Sequence, residues 1–187
     1  MTDQELRDYG ADNISYKLTM LYETAMRLKY EKAIDTDSIL KNAFLESFTI
    51  HARALALFLY FGQKRTGDVT AEEYVKDVAA WKAARGAIPG ELQEVIDRTG
   101  KEIAHLTTGR RPSSDPWKGW SFEHVYRMFF APLHLFLKHA EQARLDVSVA
   151  AFISALPTPP DAATGPVVYG SMSSTESGGA RTDVSTP

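Results

Sequence analysis

The chain has no cysteine. That excludes disulfides, thiolate catalysis and sulfur-ligated zinc or iron–sulfur sites, and it fits a reducing compartment. No apolar run approaches the ~20 residues that cross a bilayer. The opening Met1-Thr-Asp-Gln-Glu-Leu-Arg7 lacks the basic-then-apolar order of a leader. The expected location is therefore cytoplasmic, with no membrane partner. Positive charge is not in surplus either. There are 21 Lys and Arg against 24 Asp and Glu, a net charge of −3, so nucleic acid is not attracted globally and would need a local basic patch. No G-x-x-x-x-G-K-S/T or G-x-G-x-x-G loop is present to cradle phosphates, and no G-x-S-x-G elbow to raise a serine nucleophile. Internal repeats and convincing strand patterns are also lacking.

What is present is an ordinary globular composition, 44% apolar and 24% charged over 187 residues, enough for one domain with an adequate core. The expected fold is all-α, an antiparallel bundle of about five helices with a short C-terminal helix. Ile14, Leu18, Leu21, Ala25 and Leu28 form one apolar stripe and predict a helix over 12–32. The Asp35–Ser38 stretch supplies N-cap candidates for a second helix over 38–63. That helix is apolar around most of its circumference, which predicts a central place. Thr70-Ala-Glu-Glu73 is a capping box that opens a third helix ending near Gly86. Pro89 fits the first turn of a fourth carrying Leu92, Val95, Ile96 and Ile103, with Gly100 marking close packing or a bend. Ser121 caps a fifth to about residue 143, kinked at Pro132. A last helix covers about 147–156. Residues 1–156 thus read as the bundle domain. Residues 157–187, rich in Ser, Thr, Gly, Ala and Pro, read as a disordered tail in which Val167-Val168-Tyr169 is the one docking point.

Two segments carry ionisable groups on stretches otherwise built for burial. In the second helix Asn42, Glu46, Thr49 and Arg53 recur at steps of four, three and four, so they share a narrow stripe, while His51 points elsewhere. That stripe reads equally as a solvated helix edge or as a polar seam facing a cleft. In Arg98-Thr-Gly-Lys-Glu-Ile-Ala-His105, a seven-residue spacing corresponds to about two α-helical turns and puts Arg98 and His105 on one face. Lys101 lies between them, and Arg110, Arg111 and Lys118 follow. Between 98 and 118 five basic residues stand against two acids. Imidazole moves protons near neutrality, and guanidinium holds a phosphate through two hydrogen bonds, so the set suits phosphodiester chemistry. The bland reading is a helix-end histidine bonded to a carbonyl, with solvated arginines. Trp117 and Trp120 suit either stacking on a base or anchoring their loop.

With these residues in view, the chain resembles the HEPN superfamily of small helical domains. The resemblance rests on Glu-Ser-Phe-Thr-Ile-His-Ala-Arg53 in a buried helix, followed by Arg98 and Ala-His105-Leu-Thr at the close of a later one. It covers about residues 12–145. Thr99 stands where that family usually has Asn, Asp or His. The resemblance implies a four- to five-helix bundle that dimerises and cleaves RNA without a metal or other cofactor. Arg98, His105 and Glu46 would then be catalytic, and Arg53, Lys101, Arg110 and Arg111 would hold substrate. The partners implied are RNA, a second copy and an antitoxin-like protein. Two other readings stay open. One is a non-catalytic helical interaction protein with an interior or interfacial ion-pair network. The other is a metal-binding bundle gathering His51 and His105 with His134 or His139; the Glu102-x-x-His105 spacing of di-iron bundles has no second copy in the chain.

Overall fold

The helix starts are set by side chains that accept from N–H groups the helix itself leaves unpaired. A computed structural model describes residues 1–31, 37–62, 66–104 and 121–158. In it Thr2 and Glu5 cap one another. The Glu5 N–H donates to Thr2 Oγ1 (3.2 Å) and the Thr2 N–H to Glu5 Oε2 (2.7 Å), which opens α1 at Asp3–Tyr9. A π-helical turn, Gly10–Ile14, carries the chain without a break into α2, Ser15–Tyr30. The helix expected from residue 12 therefore begins nine residues earlier. Leu6 is the only buried residue of α1, so the early turns offer a cap but almost no apolar period.

Asp37 accepts from Ile39 and Leu40, each at 3.0 Å, and starts α3, Ser38–Tyr60. The Thr70–Glu73 box opens α4, which lasts only Ala71–Tyr74. The chain then turns extended at Val75, which forms an isolated antiparallel bridge with Ala140. Asp77 caps afresh for α5, Val78–Arg85. One helix was expected where these two stand; the bridge claims backbone groups that a continuous helix would need. Among the described residues there is no strand.

Pro89 precedes α6, Gly90–Arg98, which passes directly into a second π-helical stretch, Thr99–Ala104. The expected fifth helix is two, α7 at Phe122–Arg127 and α8 at Phe130–His139. Pro132 has no N–H to return to the Met128 carbonyl, and its ring crowds that oxygen. The break accordingly falls at Met128–Phe129 rather than at the proline. Asp146 caps α9, Val147–Ala155. The tail assignment lies outside the described residues apart from Pro157 and Thr158, and no described helix is long and apolar enough to cross a membrane.

The core is aromatic at one end. Phe136 meets Phe58, Tyr74 and Trp81 edge-on at centroid distances of 5.3, 5.9 and 6.1 Å. Burial pushes the Tyr74 hydroxyl's pKa up, and that hydroxyl donates to the Leu6 carbonyl at 2.7 Å, tying α1 to α4. Arg144 adds bonds to Asp3 Oδ1 (2.9 Å) and the Glu73 carbonyl (3.1 Å). Leu18, Leu21 and Ala25 of α2 pack into the same core, with Leu55, Ala56 and Leu59 of α3.

Candidate functional site

Leu92 and Val95 bury the inner face of α6 against α3, and this brings the last turn of α6 to the middle of α3. Arg98 occupies that turn and is only 9% exposed. The next residue, Thr99, is fully buried. Its Oγ1 donates to the Val95 carbonyl (2.7 Å) and reaches the Thr49 carbonyl of α3 (3.4 Å). Thr49 in turn donates its hydroxyl to the Glu46 carbonyl at 3.1 Å. The end of α6 is thus latched to the stripe of α3 on which Glu46 and Arg53 sit, one turn away on either side.

Those two flanking residues differ. Asn42 and Glu46 are exposed, and the Glu46 carboxylate makes no ion pair among the described residues. Arg53 is half-buried, and its Nε is shielded from water without a hydrogen-bond partner among the described residues. Among the described residues Glu46 and Arg53 form no ion pair with each other, and His105, the fourth member of the expected interior or interfacial network, lies outside the described residues. Charge leaving the core at Glu46 is the physical reason: a solvated carboxylate loses nothing by standing alone.

The passage from Arg98 towards His105 is π-helical over Thr99–Ala104. The two-turn register that places seven residues on one face holds for an α-helix and not for this wider i→i+5 ladder. Gly100 lies within it, at the change of helix type, and a Cβ there would meet no described atom within 4 Å. Lys101 is exposed on this stretch. His105, Arg110, Arg111, Lys118, Trp117 and Trp120 lie outside the described residues.

On the opposite side of α3, His51 is 7% exposed with the Tyr16 ring edge-on at 5.3 Å, and its Nδ1 has no partner among the described residues. Burial, helped by the positive charge of Lys17, lowers its pKa and keeps the imidazole neutral. His134 bonds the Leu156 carbonyl at 3.2 Å and His139 lies against Trp81. Among the described residues no three His, Asp or Glu side chains are placed to hold a metal.

One feature escapes any reading of linear spacing. Tyr22 and Met26 of α2, Tyr126 and Phe130 around the α7–α8 break, and Phe152 and Leu156 at the end of α9 line an open groove of about 800 Å³. The available hint was the run of exposed tyrosines on α2, Tyr16, Tyr22 and Tyr30 at 53, 39 and 66%. The chain matches no protein-family profile, no curated protein and no solved structure.

Proposed function

We propose that this chain is a HEPN-like domain that cleaves RNA without a metal and works as a homodimer. The observation that carries the reading is Arg98, a residue only 9% exposed at the point where α6 turns π-helical beside the polar stripe of α3. A group that stays charged when desolvated is a preorganised holder for a phosphate, and π-helical stretches recur at functional sites. In the proposed reaction the ribose 2′-oxygen attacks the adjacent phosphorus and the 5′-oxygen leaves. His105 takes the 2′-OH proton or protonates the leaving oxygen. Arg98 stabilises the charge gathering on the phosphoryl oxygens, Glu46 orients one of these groups, and Arg53, Lys101, Arg110 and Arg111 hold flanking phosphates. An antitoxin-like partner belongs to the same proposal.

The direct test is RNA cleavage by the purified full chain in excess EDTA, beside His105→Ala and Arg98→Lys with their melting temperatures. The reading expects cleavage by the wild type and a loss of roughly a hundredfold or more in His105→Ala. Arg98→Lys keeps the charge but not the bidentate fork, and should cost at least ~10-fold at unchanged folding. Equal cleavage by all three, or none by the wild type, would sink it.

A second reading, a helical interaction protein without chemistry, is favoured by one specific observation. Ile39 and Ile50 on α3 are 81 and 48% exposed and share a face with Ala43, Glu46 and Arg53. Glu46 and Arg53 lie seven residues apart on that face. A two-fold axis passing beside Ile50 would set Glu46 of each copy opposite Arg53 of the other and cover the isoleucines. This surface serves both readings, and only the cleavage assay separates them.

A further inference from the structure

The aromatic groove is independent of that site, since none of its lining residues belongs to α3 or α6. Its volume is that of pockets that enclose a compact apolar ligand. Tyr22 packs against Tyr126 (5.8 Å) and Phe152 (6.4 Å), and Tyr126 edge-on against Phe130 (4.9 Å). Burial raises the Tyr126 hydroxyl's pKa to about 12, so that ring stays neutral. At the rim, Glu123 is bonded by both Lys29 and Arg127, each at 2.5 Å. Two cations on one carboxylate leave one net positive charge at the rim. The apolar wall and net positive rim are therefore suited to a short, partly aromatic segment with no cation and at most one negative charge.

The chain itself supplies such a segment. Pro157 and Thr158 form one edge of the groove, so the chain leaves the described fold there. Between Thr158 and Met172 the only charge is Asp161, and Val167-Val168-Tyr169 is the only cluster of large apolar residues from 159 to 187. The residues from 159 to 166 carry three prolines, which favour extended backbone and reduce the entropy lost on ordering. At about 3.3 Å per residue they reach some 25–30 Å, enough to run out and return across the pocket. Gly165-Pro166 is a turn-favouring pair in the sequence just before the apolar triplet.

We propose that Val167-Val168-Tyr169 docks in this groove as an intramolecular cover, with Tyr169 seated among Tyr22, Tyr126 and Phe152. Tethering at Thr158 gives the segment a local concentration on the order of millimolar, so contacts too weak to hold a free peptide suffice in cis. The test is amide hydrogen exchange on the full chain, comparing wild type with the Val167→Ser/Tyr169→Ser double variant and with Tyr22→Ala. Both substitutions lie outside the described residues, and melting temperatures read beside the exchange check that each variant is folded. Exchange at residues 167–170 should be about fivefold or more slower in the wild type than in either variant, and unchanged on dilution. Exchange equally fast in all three chains would overturn the proposal. So would protection lost on dilution, which would assign the groove to the tail of a second copy.

Discussion

The two halves of α3 make the sharpest contrast in the molecule. From Leu55 to Tyr60 the helix is buried on nearly every side, with Leu55, Ala56 and Leu59 at 1% exposure or less. From Ser38 to Ile50 it offers Ile39, Leu40, Asn42, Ala43, Glu46 and Ile50 to solvent. Composition already separates them, since Leu55–Tyr60 is wholly apolar whereas Ser38–Ile50 includes Lys41, Asn42 and Glu46. The company differs as well. The C-terminal half lies among Tyr74, Phe136 and α2, whereas the N-terminal half leaves Ile39, Ala43, Glu46 and Ile50 exposed along one face.

Equivalent truncations would break this contrast if it is wrong. At concentrations that keep the chain monomeric, Leu59→Ala should cost about 2–5 kcal/mol in denaturant unfolding, as a buried leucine leaves a cavity. A smaller but measurable effect is expected with pH. The His51 pKa is lowered in the folded chain from 6.5, so unfolding takes up a proton as pH falls below neutrality. Its contribution is complete above the unfolded value and is lost as pH drops through 6.5 towards the depressed folded value. Melting temperature should therefore fall over that window, and His51→Gln should flatten the slope. The smallest effect belongs to Ile39→Ala, within about 0.5 kcal/mol of wild type under the same conditions. Comparable losses for Leu59→Ala and Ile39→Ala would show that the two halves of α3 are not different in kind.

Much of the fold was legible because its signals are local. The Asp35–Ser38 stretch holds the true cap Asp37, the Thr70–Glu73 box opens a helix, and the 14-18-21-25 stripe is buried throughout. The same logic failed where tertiary contacts decide. An all-round apolar pattern in α3 carries no direction, so the helix read as central along its whole length when half of it has an open face. The Val75–Ala140 bridge that ends α4 joins residues far apart in sequence. At the candidate site, Arg98 was visible as a cation in an amphipathic helix, but the π-helical stretch after it was not, because Gly100 signals only that something changes. The aromatic groove gathers Tyr22, Tyr126 and Phe152 from three helices, and no spacing reveals it.

The central claim is that the open half of α3 is a working surface made to be covered by a second copy. Sedimentation of Glu46→Arg and Arg53→Glu, each alone and then mixed, tests it most directly. Each variant alone would set like charges against each other across the two-fold and should run as a monomer, while the mixture restores both opposite-charge pairs and should run as a dimer, as is expected of the wild type. A mixture that stays monomeric while the wild type dimerises, or a wild type that is itself monomeric, would contradict the account.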